Sequence, residues 1–309
     1  MKVLHWHVHG SYSTALVQGP QTFLVPVDDA RGTDGRGRAR TWDWPANAVE
    51  RTAAELAGER PDVVVLQRAH EVELCERWTG LRPGRDVPAI WLEHNAPQGR
   101  IAEMRHPAAD HDGVHVVHVT HFNALFWDTG DRPTRVIEHG ILDPGLRDVG
   151  ELPRGAAVVN EAVRRGRVTG TDLLAPIGAG GPIDLFGIDA EALGGTDLPQ
   201  HAMHDELARR RAYVHPVRWT SLGLSLLEAM HLGLPVVAVA STEVPDVVPP
   251  EAGCVSADPA RLAAALEGFV QDRDAARAAG RHARAAVQER FALTRFLTDW
   301  KDVLEEVAA

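Results

Sequence analysis

The sequence predicts an α/β fold of two doubly wound halves, and three observations predict it. Short apolar runs alternate with helical or loop segments through the first half of the chain. The same pattern restarts after a stretch marked by Pro144, Gly145, Gly150 and Pro153. The length, 309 residues, allows two domains of about 150 residues, each able to bury a core.

In chain order, the runs Val3 to Val8, Phe23 to Val27, Val63 to Leu66, Ala89 to Leu92, Val114 to Val119 and Arg135 to Ile137 read as buried strands of a mostly parallel sheet. Between them, Pro45 to Ala57 carries Val49, Ala53 and Leu56 at helical spacing and predicts a helix leading through Pro61 into a strand. Asp28 to Arg40 is loop by composition, its alternating charges a solvated face. Asp110-His111-Asp112 precedes its strand instead of ending one, which makes it a solvated turn. The second half repeats the strand pattern at Ala156 to Val159, Pro182 to Phe186, Ala212 to Val214, Val236 to Ala240 and Gly253 to Val255. Asp258-Pro259 starts a helix by cap and first-turn proline. The chain closes with one apolar stripe of Phe296, Leu297, Trp300, Val303, Leu304 and Val307.

Composition narrows the function classes. A net charge of −11 argues against a nucleic-acid backbone as the main partner and against general adhesion to an anionic membrane. Cys75 and Cys254, the only cysteines, fall in different halves, so no disulfide framework is indicated. No run reaches the roughly 18 to 20 apolar residues of a membrane span, and the first residues are too polar for a secretory signal. These features suggest a cytoplasmic enzyme that touches a membrane peripherally at most.

The most informative segment is Tyr213 to Ala240, which reads as strand, loop, short helix, tight turn and buried strand. Thr220 or Ser221 can cap a helix running to about His231, which Gly233 and Pro235 stop. Thr220-Ser221-Leu222-Gly223 would then offer backbone amides at the positive end of the helix dipole, with Gly223 leaving room for an anion. Glu228 is the only acid in that apolar helix, where a carboxylate costs stability unless it has a partner. It is either a structural acid paired with an arginine or a ligand for substrate.

This segment resembles the signature of retaining nucleotide-sugar glycosyltransferases of the GT-B type, family 4, in which two glutamates eight residues apart precede a G-x-P-V-V strand. Glu228 matches the second glutamate, and Thr220 stands where the first would be. The resemblance extends over the chain through the loop His9-Gly10-Ser11, the strand end Trp91-Leu92-Glu93-His94, the turn Arg135 to Gly140, and the segment Arg164 to Leu174. The last is similar to the family's phosphate-binding arginine and lysine segment without its lysine; lysine occurs only at Lys2 and Lys301.

The resemblance implies a GT-B arrangement of two Rossmann-like domains facing across a cleft. These would be 1–148 on the acceptor side, 149–291 binding the nucleotide sugar, and a C-terminal helix over 292–309 crossing back to the first domain. It implies transfer of a sugar from a nucleotide-diphosphate sugar to an acceptor hydroxyl of a glycan, lipid or small molecule, with retention and without a metal or cofactor. Glu228 would orient the ribose, and Thr220, Ser221, Leu222, Gly223, Arg218 and Gly187 would line the donor site. His94 would contact the donor sugar. Because a helix dipole supplies at most about 2 kcal/mol toward an anion, a close cation is expected for the diphosphate; Arg164, Arg165, Arg167 and Arg218 are the candidates. Gly10 and Ser11 would admit acceptor or pyrophosphate.

Two other classes are open on sequence. Thr220 and the missing lysine fit a degenerate transferase that binds nucleotide or sugar without catalysis. The alternation His5, His7, His9 places three imidazoles on one strand face, a spacing found in metal-dependent hydrolases, with His94, His118, His121 and Asp143 as further ligands.

Overall fold

A computed structural model describes residues 1–147 and 150–309. The expected boundary at 148/149 falls on the two residues outside the described set. The chain divides into two compact units: residues 1–140 together with 293–309, and residues 141–292.

The first unit is built on seven strands: β1 (Lys2–His5), β2 (Thr22–Pro26), β3 (Ala48–Arg51), β4 (Val63–Leu66), β5 (Ala89–Glu93), β6 (Val114–His118) and β7 (Thr134–Val136). All pair in parallel, in the order β3-β2-β1-β4-β5-β6-β7. Chain order reverses between β1 and β4, the topological switch point beside which open α/β sheets bind ligands. The expected helix over Pro45 to Ala57 is corrected to an edge strand, β3, and the single turn Ala53–Leu56. Thr52 and Glu55 form a reciprocal capping box that fixes the helix start at Ala53, so the helical spacing of Val49 with Ala53 was coincidental.

One sheet face packs Leu4, Trp6, Leu24, Val64, Leu66 and Trp91 against Leu56, Leu74 and Cys75. Helix Leu293–Ala308 belongs to this unit, burying Phe296, Trp300, Val303 and Leu304. Its Trp300 indole donates a 2.9 Å hydrogen bond to the buried Tyr12 hydroxyl, and Phe296 meets the Tyr12 ring edge-on at 5.3 Å. Gly140 is required here, because a β-carbon on it would run into Phe296.

The second unit has five strands, β8 (Leu152–Val158), β9 (Ile183–Phe186), β10 (Arg210–His215), β11 (Val236–Val239) and β12 (Gly253–Ser256). They are parallel in the order β12-β11-β10-β8-β9, with the switch point between β8 and β10. Both faces are covered. Helices Leu224–Leu232 and Arg273–Arg290 contribute Leu226, Met230, Ala283 and Val287 to one apolar cluster, and Pro259–Gln271 contributes Leu262 and Leu266 to the other. Asp258 caps that last helix from Oδ1, with Pro259 in its first turn.

Candidate functional site

In the second unit, three loops at the carboxyl ends of β8, β9 and β10 are bonded to one another. The amides of Arg218 and Trp219 both donate to the Val168 carbonyl, at 3.0 and 3.1 Å, joining the β10 loop to the segment after β8. Gly170 lies so close to the Pro216 carbonyl that no side chain fits there, and its φ of +74° favours glycine. The Ile188 amide donates to Asn160 Oδ1 at 3.0 Å, tying the β9 loop to the β8 loop, and Gly187 (φ +131°) sits against the Val159 carbonyl. The helix Ala162–Thr169 after β8 and the loop after β10 flank the switch point, so Arg164 to Arg167, Gly187 and Arg218 to Gly223 are brought to one edge of one sheet.

The helix of the signature segment opens later than expected. It spans Leu224–Leu232, with Gly223 at the N-cap position in place of Thr220 or Ser221. Leu222 is committed to the apolar core and Ser221 is buried, which holds residues 218–222 as loop. The amides without a carbonyl partner inside the helix are therefore those of Gly223, Leu224 and Ser225. Glycine is needed at Gly223: a β-carbon there would lie 2.7 Å from Cε1 of His215, whose ring occupies that side. Burial holds the His215 imidazole at about 4. The far end is as read, Gly233 closing the helix at φ +90°.

Glu228 is buried, and its partners are a side-chain amide and an imidazole instead of an arginine. Gln200 Nε2 donates to Oε1 at 2.6 Å, and His204 Nε2 lies 3.2 Å from Oε2. Both partners come from the helix Gln200–Ala208, which sequence reasoning left unread. The available signal was the four-residue spacing of Gln200 and His204, which puts them on one helix face.

The arginines separate. Arg164 projects into solvent and pairs with Glu161. Arg167 and Arg218 converge on Asp172, Arg218 through two bonds of 2.5 and 2.8 Å. Arg165 is half-buried, and among the described residues its guanidinium makes no hydrogen bond or ion pair; desolvation lowers its pKa below the usual arginine value.

In the first unit, His94 follows β5 and meets residues from the switch point. Its Nε2 lies 3.0 Å from Gln67 Oε1, and the Gln67 amide nitrogen donates to the Trp6 carbonyl at 2.7 Å. That second bond fixes the amide orientation, so Nε2 of His94 carries the proton. The ring packs against His9 at 4.1 Å and Tyr12 at 4.6 Å; desolvation, then the neighbouring His9, His139 and His5, hold it well below 6.5. The following loop is anchored by Glu93, which accepts from the Asn95 amide at 2.6 Å and from His106 Nε2 at 3.0 Å. Gln67, Tyr12 and His106 escaped the sequence reading because the groups they bond, Trp6 and His94, Trp300, and Glu93, lie far from them in the chain.

Gly10 and Ser11 form the first turn of the helix Gly10–Leu16, with His9 as N-cap. The three alternating histidines do not share a strand face: β1 ends at His5, so His7 and His9 lie beyond it. His5 Nε2 is 3.0 Å from Ser13 Oγ, His7 donates to the Gly37 carbonyl at 2.8 Å, and His9 packs against His94 with the rings tilted by 50°. Among the described residues no group of three or more His, Cys, Asp or Glu is arranged to hold a metal ion, which disfavours the hydrolase alternative.

Residues 189–272 match a family model described as Glycosyl transferases group 1. No curated protein matches the sequence. Among solved structures, the chain is similar to sucrose-phosphate synthase from Thermosynechococcus elongatus, at TM-score 0.72 and 13% identity over 99% of each chain. It is similar to Anabaena Alr3699/HepE in complex with UDP, at TM-score 0.71 and 13% identity over 99% of this chain and 100% of that one. It also resembles TarM of S. aureus, solved with UDP among its ligands, at TM-score 0.61 and 12% identity over 78% of this chain. Against TarM it spans 55% of the partner's length. These likenesses show the fold: two Rossmann-like parallel-sheet domains of the GT-B class.

Proposed function

We propose that this chain is a glycosyltransferase that moves a sugar from a nucleotide-diphosphate sugar to an acceptor hydroxyl, with retention and without a metal. The observation that carries the reading is the single sheet edge of the second unit. There the β10 loop, the helix start at Gly223 and the helix Ala162–Thr169 after β8, which bears Arg165, meet at the switch point, with Glu228 on the helix that Gly223 opens. The match of residues 189–272 to group 1 glycosyl transferases and the likeness to structures holding UDP support it.

In this reading the diphosphate lies on the amides of Gly223, Leu224 and Ser225, where the helix dipole favours an anion. Arg165 supplies the cation that stabilises charge developing on the leaving diphosphate. Glu228 accepts hydrogen bonds from the ribose hydroxyls. His94, neutral and already donating through Nε2, acts toward the donor sugar as a hydrogen-bonding and packing group and not as a proton store. The acceptor is a glycan, lipid or small molecule, and the protein acts in the cytoplasm.

The test is incubation with a panel of UDP-, GDP- and ADP-sugars, with and without candidate acceptors, reading released nucleoside diphosphate. Release from at least one donor supports transfer. Tight nucleotide binding with no release from any would leave a binder without catalysis, in line with Thr220 at the first glutamate position.

A further inference from the structure

Glu228 presents an unusual arrangement for a buried carboxylate. Its side chain is 8% exposed, yet among the described residues no lysine or arginine pairs with it. Removing a carboxylate from water without compensating hydrogen bonds is costly. The compensation comes from one helix: Gln200 takes Oε1 and His204 takes Oε2, at 2.6 and 3.2 Å. Being four residues apart, the two donors rise from the same face of Gln200–Ala208 and grip both oxygens of one group.

The donor types matter. An ionised carboxylate offers about four lone-pair positions, two on each oxygen. A bidentate arginine would neutralise the charge and hold both oxygens in a planar fork. One amide N–H and one imidazole N–H instead take one position on each oxygen, leave one free on each, and leave the negative charge in place when the imidazole is neutral. The two free positions suit a vicinal diol, whose hydroxyls both donate.

We propose that Gln200 and His204 are positioning residues that present Glu228 to the two ribose hydroxyls of the nucleotide. This rests on the transferase reading above. Neither residue need touch the nucleotide; each fixes the carboxylate that does.

The experiment titrates the full chain by calorimetry with UDP, GDP, ADP and CDP, then compares the tightest binder with its 2′-deoxy form. The variants are Glu228→Ala, Gln200→Leu, His204→Leu and His204→Gln. Gln200→Leu and His204→Leu should each weaken the ribonucleotide about tenfold, the scale of one hydrogen bond to a charged group. They should also shrink the preference for ribo over 2′-deoxy, because a carboxylate that is no longer held discriminates less. His204→Gln, which keeps an N–H donor, should stay within about threefold of the parent. Equal losses for ribo and deoxy forms, or no loss in variants of Gln200 and His204 while Glu228→Ala loses binding, would overturn the positioning role and leave the transferase reading standing. No binding of any of the four nucleotides to the parent chain would overturn both. Should a leucine variant fail to fold by circular dichroism, Gln200→Asn, which withdraws the donor by one methylene, is judged by the same criteria.

Discussion

The imidazole of His215, at the end of β10, fills the space that a side chain would need at Gly223, with Cε1 2.7 Å from the β-carbon position. The ring is buried and lies at one boundary of the loop that leads into the helix Leu224–Leu232. Gly223→Ala therefore has to displace either the ring or the helix start. It should destabilise the chain by about 1–3 kcal/mol, the scale of overpacking, and weaken nucleotide binding. Urea denaturation and calorimetry check this; a variant unchanged in both would show that the loop yields without cost.

Arg165 and Arg164 are neighbours with opposite surroundings. Arg164 is 70% exposed and neutralised by Glu161, whereas Arg165 is half-buried without an ion pair among the described residues. Arg165→Ala should lower kcat by about 10²-fold, the scale of one lost transition-state donor, with a smaller effect on nucleotide affinity. Arg164→Ala should stay within about twofold. Steady-state kinetics on the accepted donor decide it, and the reverse ranking would move the cation to Arg164.

Gly140 touches Phe296 of the closing helix too closely for any β-carbon. Gly140→Ala should lift that helix off Tyr12 and cost about 1–3 kcal/mol or more, since the obstructing atoms sit at the root of the phenylalanine side chain. Differential scanning calorimetry would show a lower Tm, and near-ultraviolet dichroism would report loosening around Trp300.

Several histidines are buried as neutral rings. Desolvation, with smaller contributions from neighbouring histidines at the first two, holds His5 at about 3, His118 at about 3 and His215 at about 4. Each folded-state value lies below the unfolded 6.5, so between those values the unfolded chain binds more protons. Stability is then complete above about pH 6.5 and falls as the pH drops toward 4, by roughly 2 kcal/mol per ring at pH 5. Urea titrations at pH 7.5, 6.0 and 5.0 should show a declining free energy of unfolding. A flat profile would contradict neutral burial.

Much of this was legible in the sequence because the strands are buried on both sides and read as unbroken apolar runs. Val63 to Leu66 and the β10–helix–β11 unit stand where the pattern puts them. What escaped was decided by contacts distant in sequence. The cap of the signature helix moved from Thr220 or Ser221 to Gly223 because Leu222 is drawn into the core. β3 hid behind a chance helical spacing that the Thr52–Glu55 capping box overrules. The partners of Glu228 could not be named, since Gln200 lies 28 residues away and any polar side chain on a facing helix could have served. The three alternating histidines suggested a shared face only while β1 was taken to extend past His5.

The most direct test is the affinity of a nucleoside diphosphate for the parent chain and for Glu228→Ala, measured by calorimetry with folding verified. The expected result is a loss of about 1.5–3 kcal/mol in the variant, the worth of a hydrogen bond to a charged group. Equal affinity in a folded variant would contradict the assignment and return Glu228 to a structural acid held by Gln200 and His204.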